Sequence, residues 1–438
     1  MKKMMLFIVL LIGWATVSGQ HPVMSLSSIE KNLEDWKANL DTTQANVETY
    51  LEKMQANLET HLEEMQKMLE ANLDDGLVSL EVNLGEIGNY FGLYNGEKEQ
   101  GEPFSVYKFP AKDIEKAVVS TAGGSIHVNG DATGEAVVEV WVHPNGGKEL
   151  SKEEIQKILD EYYTLNIKAA AGELLAEARR TGPKEWTSKN SVSISFHLHV
   201  PQKVASRLSA SGGSIRIRDL SGMEEVTTSG GSIHVENVSG TVTGRTAGGS
   251  IHLSGSKGDI KLATSGGIIQ ANDNQGNISL STSGGSLRLE HLSGTVTAAT
   301  SGGSIRLSDL TGTVNATTSG GSVRAERVNG TLNTGTSGGS MKLMDISGSL
   351  EARTVGGSMN VQITSVTGHV RLFNTGNISL TLPAGEGYNL KIQGNNINTG
   401  NIKNFQGVFE SKNIDGTLNG GGAEINVYSP QRVNLTFE

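Results

Sequence analysis

One basic or imidazole side chain recurs at a constant spacing of 18 residues: Arg216, His234 and His252, then, after Gln270, Arg288, Arg306, Arg324 and Lys342. If the intervening chain returns to the same place once per repeat, these residues form a ladder on one face. Such a ladder could bind an anionic polymer, an acidic polysaccharide above all. The blander reading is a solvated column. Like charges on neighbouring strands repel, so balancing acids are expected nearby. Asp219, Asp309, Asp345, Glu236, Glu290 and Glu326 lie at the right offsets to supply them.

Other chemistry is sparser. His234 and His252 should sit on adjacent turns of the repeat, and His197 and His199 share one strand face. Either pair could contribute to a metal site. No third His and no carboxylate follows at ligand spacing, so neither metal nor cofactor is expected. Outward Thr pairs at Thr241/Thr243 and Thr295/Thr297, with Thr313/Asn315 and Thr331/Asn333, make a hydroxyl ladder of the kind ice-binding surfaces use. Lys261, Glu351 and Asp259 interrupt it, and Thr is in any case a good exposed strand residue. No nucleophile elbow, zincin motif or paired carboxylates in a recognisable frame mark a hydrolase, so no catalytic residue is assigned. A polysaccharide-active enzyme remains the second alternative, because solenoids host such enzymes. Basic residues without interleaved aromatics argue against nucleic acid.

What would position a ladder is legible in the glycines, 56 of 438 residues and about twice the ordinary share. The first Gly of a Gly-Gly pair falls at Gly212, Gly230, Gly248, Gly266, Gly284, Gly302, Gly320, Gly338 and Gly356, always 18 apart, with single glycines half-way from Gly222 to Gly348. Fixed-period self-similarity signifies a solenoid. Between glycines, hydrophobic and polar residues alternate, as strands require: Ile305 and Leu307 face one way, Ser304, Arg306 and Ser308 the other. Each unit holds two short strands and two turns, where glycine is expected to supply positive φ. Nine units at about 4.8 Å would make a rod of about 43 Å. Three aliphatic columns should fill it, starting at Ile215, Ile217 and Val242; Glu224 breaks the third at its first rung, as an edge would. Calcium-binding β-rolls need Asp in a G-G-x-G-x-D turn, and the S-G-G-S turn has none.

The flanks differ. Residues 105–200 read as a β-rich N-terminal cap in which "STAGGSIHVNG" resembles a rung out of phase and "ELSKEEIQKILDEYY" an inserted helix. The solenoid spans 201–382; 383–438 read as degenerate rungs closed by a strand pair, because an open end would expose strand edges. Residues 1–19 have the form of a signal peptide, with Lys2 and Lys3 before an apolar run too short to span a bilayer; a signal anchor is the alternative. No later segment is apolar enough to cross a membrane. Within 20–104, Ile29, Leu40, Leu51, Leu62 and Leu73 keep a period of eleven on a long amphipathic α-helix with a near-straight stripe, suited to coiled-coil self-association or docking. From Glu30 to Asp75 there are twelve acids against four lysines, which disfavours contact with anionic lipid. Cysteine is absent, so neither disulfides nor thiol chemistry is available.

The phrases "ISFHLHVPQKVASRLSASGGSIRIRDLSG" and the recurrent "SGGSIxLxxLSGTVxAxTSGGS" resemble the bacterial putative-adhesin family of β-strand-repeat proteins, largely of unknown function. The resemblance covers roughly 115–430 and implies envelope or surface adhesion; it carries no catalytic residues. The expectation is a mainly β protein, a parallel two-sided β-solenoid of 18-residue rungs with an N-terminal helix. It would be exported to the periplasm, cell surface or medium as a structural or adhesive module. Its partners would be a second copy of itself, or a cell-surface glycan or protein.

Overall fold

The computed structural model describes residues 102–145, 150–181, 191–400 and 402–438, all in the second of two units, Glu99–Glu438. The signal peptide and the eleven-residue-repeat helix expected over Ile29–Leu73 lie outside the described residues.

The expected stacking is present. Ile233 lies beside Ile251, Ile251 beside Ile269, and the same offset of 18 carries the pairing through Leu287, Ile305, Val323 and Met341 to Met359, every step parallel. A rung consists of a short strand, a corner, a longer strand and the Ser-Gly-Gly-Ser turn, as in Ile233–Glu236 and Ser239–Thr246. From Ile269 onward ladder bonding runs through the corner, and the two merge into strands such as Leu287–Thr300 and Ile305–Thr318. The three aliphatic columns are buried throughout. Full burial of one such side chain is worth about 2 kcal/mol, so nearly identical layers give the stack its strength.

A fourth column fills the corner: Leu220, Val238, Leu292, Leu310, Val328 and Ile346 are buried there. Each follows a residue in the left-handed region, Asp219, Asn237, Gly255, Asp273, His291, Asp309, Arg327 or Asp345, with φ between 53° and 62°. Asp and Asn tolerate that region better than most side chains. In two rungs the column turns polar, and the groups satisfy one another. Ser256 Oγ accepts from the Val238 amide (3.1 Å), and Asn274 Oδ1 accepts from the Ser256 amide (2.8 Å).

The glycines divide into two kinds, which corrects the expectation that all serve positive φ. Half-way glycines from Gly240 to Gly348 do: Gly312 has φ 119°. The second glycine of each pair from Gly213 to Gly339 does not. At Gly303 a Cβ would lie 2.0 Å from the Gly285 carbonyl oxygen of the neighbouring rung, whereas at Gly302 the nearest atom would be 3.5 Å away. Close backbone approach, not dihedral freedom, demands the second glycine. Beside it runs an internal Thr column. Thr318 Oγ1 donates to the Gly303 carbonyl (2.7 Å) and accepts from the Gly321 amide (3.2 Å); Thr246, Thr264, Thr282, Thr300 and Thr336 repeat the pattern. The recurrent TSGG phrase is thus an inter-rung hydrogen-bond clamp.

Both ends are built by intercalation. Strand Lys116–Thr121 lies in parallel between Glu173–Arg180 and Ala205–Ala210, and Ile126–Asn129 lies between Val192–His199 and Ile215–Arg218. The segment expected out of phase is therefore an in-phase interior rung, placed between two rungs that are consecutive in sequence. Beyond it the edges are antiparallel: Ser105–Pro110 on Glu135–Pro144, and Tyr163–Ala170 on Glu173–Arg180. Between Glu135–Pro144 and Tyr163–Ala170 runs the expected helix, Lys152–Tyr162, begun by a Ser151–Glu154 capping box. At the other end Ala423–Phe437 inserts between Met359–Asn374 with Ile378–Leu382 on one side and Tyr388–Thr399 on the other. It is an interior rung, not a terminal pair. The hairpin strands Asn413–Leu418 and Phe405–Glu410 close the edge. Glu224 likewise marks no edge: it is 1% exposed, with Ser206 beside it on one neighbouring rung and Val242 on the other.

Candidate functional site: two polar faces of the solenoid

The register places Arg216, His234, His252, Gln270, Arg288, Arg306, Arg324 and Lys342 in one outward column, each beside the next. The column continues past Arg216 to His127 and His197, residues no 18-residue count could reach. His127 stacks on His197 with ring centroids 4.4 Å apart, and His234 on His252 at 4.8 Å. Trp141 tilts against His197 and donates to Glu139.

Charge along this column is uneven. Burial, then neighbouring His197, Arg216 and His234, push the His127 imidazole down to about 3. Burial, then His252 and Arg216, push His234 down to about 4. His197 and His252 are lowered mainly by burial. At neutral pH the imidazole part of the ladder is therefore uncharged apart from Arg216. In the other part, Arg288 donates to Glu290 (2.6 Å) and Arg324 pairs with Glu326. Arg306 and Lys342 have no carboxylate within ion-pair distance among the described residues. Half-exposed pairs of this kind contribute little stability, but they neutralise Arg288 and Arg324.

The paired histidines suggested for a metal are not brought together as ligand sets. His199 Nδ1 bonds Asp131 (2.8 Å) instead of joining His197. No three His, Asp or Glu side chains converge on a point among the described residues. The Thr ladder is real as a column over Thr295, Thr313 and Thr331.

The second sheet carries a feature the repeat did not announce, a groove of about 670 Å³. Two outward columns line it. One runs Asn315, Asn333, Glu351, Arg371, Asn426, Lys391; the other Thr317, Gly335, Arg353, Phe373, Tyr428, Gln393. Small residues at Thr317 and Gly335 leave a depression that ends against the Arg353 guanidinium, 4.5 Å from the Phe373 ring centroid. Phe373 stacks on Tyr428 at 5.4 Å and 12°. Arg371 Nη1 donates to Glu351 Oε1 (2.6 Å), which also meets His369 Nε2 (3.1 Å). These contacts hold the Glu351 carboxyl below its ordinary range. The groove forms where the period breaks. The offset is 18 at Met341↔Met359 but 20 at Leu350↔Val370, across a bulge. The loss of regular spacing after Gly356 was the one sequence signal pointing here.

Fold and faces together define a capped parallel β-solenoid with polar columns in register on both sheets. No family model matches the chain, and no curated protein matches it. Among solved structures it is similar to the crystal structure of a "putative cell adhesion protein" from Clostridium sporogenes, at 9% identity over 76% of this chain and 98% of that one. The TM-score of 0.20 is too low for that likeness to carry argument. No helix among the described residues is long and apolar enough to cross a membrane, which leaves strand-built spans unaddressed.

Proposed function

We propose that the protein is an exported interaction module of the cell envelope or surface, structural or adhesive in role and without catalysis. The observation that carries this reading is the in-register surface. Rungs in register place polar side chains in columns along two faces, and repeated weak contacts with a repeating partner add up through effective concentration. The leader-like N-terminus and the resemblance of the TSGGS phrases to adhesin repeats support the same reading. An acidic polysaccharide held by the basic ladder is the alternative, favoured by Arg306 and Lys342, whose charges lack ion-pair partners among the described residues. A polysaccharide-active enzyme has less support, since among the described residues Glu351 is the one carboxylate lining the groove and it is held by Arg371.

The test uses the host cell. Intact cells are treated with protease and probed for this chain, and beads coated with the purified full chain are scored for attachment to those cells. Removal by external protease together with bead attachment is expected. Retention in the cytosolic fraction with no attachment would contradict the reading. For the alternative, attachment should weaken with salt and disappear when Arg288, Arg306 and Arg324 are all changed to Gln.

A further inference from the structure

We propose that the groove on the second sheet binds an anionic saccharide chain, with sugar rings packing against the edges of the stacked Phe373 and Tyr428 rings and their carboxylate or sulfate groups meeting Arg353 and Lys391. The inference rests on the reading of the solenoid as an exported interaction module and places its ligand on the face opposite the basic ladder.

Three observations carry it. First, Tyr428 is 44% exposed although it stacks nearly parallel on Phe373. Stacked on each other, the two rings turn edges rather than faces to the groove, an apolar ridge against which the C–H groups of a pyranose can pack, while planar amide and guanidinium side chains nearby suit ring hydroxyls. Second, the charge is lopsided. Arg371 is occupied by Glu351, but Arg353 and Lys391 have no carboxylate within ion-pair distance among the described residues. Arg353 lies over the Phe373 ring, 4.5 Å from its centroid, and lines the groove. An anionic ligand therefore finds two cations without first breaking a pair. Third, the topology brings the two rings together. Phe373 and Tyr428 are 55 positions apart and meet only because Ala423–Phe437 inserts beside Met359–Asn374. The groove runs along the stacking direction, so a linear polymer in it crosses successive rungs.

Calorimetric titration of the full chain with an oligogalacturonate, a heparin-derived oligosaccharide and a neutral glucan oligomer tests this. Expected is binding of one or both acidic probes at least tenfold tighter than the neutral one, weakening as salt rises. Y428A and K391Q, both at exposed positions, should each lower affinity at least fivefold without moving the thermal midpoint. The triple Arg288, Arg306, Arg324→Gln variant should bind as the parent does. Which acidic probe binds tells carboxylate from sulfate preference. Absence of binding to either at millimolar concentration, equal binding of the neutral glucan, or loss in the triple variant with Y428A unaffected would each overturn the proposal. If the groove fails while coated beads still attach to cells, the interaction-module reading stands and only the site is wrong.

Discussion

Adding a methyl group at Gly303 would put a carbon 2.0 Å from the Gly285 carbonyl oxygen, while the same addition at Gly302 meets nothing nearer than 3.5 Å. The obstructing atom is backbone, fixed by ladder bonds on both sides, so it cannot yield cheaply. Gly303→Ala should cost about 3 kcal/mol and Gly302→Ala less than about 0.5, read from the denaturant midpoint; equal effects would refute the distinction. Glu224 offers a second single-residue test. Burial raises its carboxyl to about 7, only partly offset by hydrogen bonding to Ser206. A carboxyl raised in the native state is fully compatible with folding below about pH 4.5, and its penalty grows until pH passes about 7. The parent should therefore lose stability relative to Glu224→Gln between those values, by about 3 kcal/mol at most. Parallel stability curves for the two proteins would show that the carboxyl is not buried. At this level the sequence was legible where identity and parity agreed. Ile305, Leu307 and Val314 read as interior from alternation alone. Thr318 shares Val314's parity yet reads as polar, and only the hydrogen bond to the Gly303 carbonyl explains its burial. The corner column at Leu310 was hidden because the left-handed residue before it, Asp309, breaks the period of two.

Among the elements, the intercalated strands matter most. Tyr388–Thr399 pairs with Asn413–Leu418 and Ala423–Phe437 and, among the described residues, with no earlier rung. A chain ending at Gly420 should therefore release residues 388–418 from the stack while the 215–361 rungs stay intact. Hydrogen exchange or limited proteolysis should find the former labile and the latter protected; protection of both would mean that the terminal strand is dispensable. Neither insertion was readable from spacing. Ile126 meets Ile215 and Phe373 meets Tyr428 at offsets of 89 and 55, which no internal repeat encodes. The phrase around Gly123 and Gly124 did announce a rung, but its place in the stack, between Val192–His199 and Ile215–Arg218, is set by pairings outside the 18-residue count. The groove was announced only by the lost spacing after Gly356, and its aromatic pair not at all, since the two residues belong to different irregular rungs.

Across the whole of the described unit, one register unites core, clamps and faces. Both basic ladder and groove are columns only if residues 18 apart stay side by side. The parent has no cysteine, so engineered pairs report on this without background. Thr295 and Thr313 are register partners on an exposed face, as are Thr313 and Thr331. In-register neighbours fall within disulfide reach, whereas residues two rungs apart are separated by about 9.6 Å. Under mild oxidation, Thr295→Cys with Thr313→Cys should form an intramolecular disulfide nearly completely, and Thr295→Cys with Thr331→Cys should stay reduced. Cross-linking of the second pair and not the first, or of neither, would contradict the stacked solenoid.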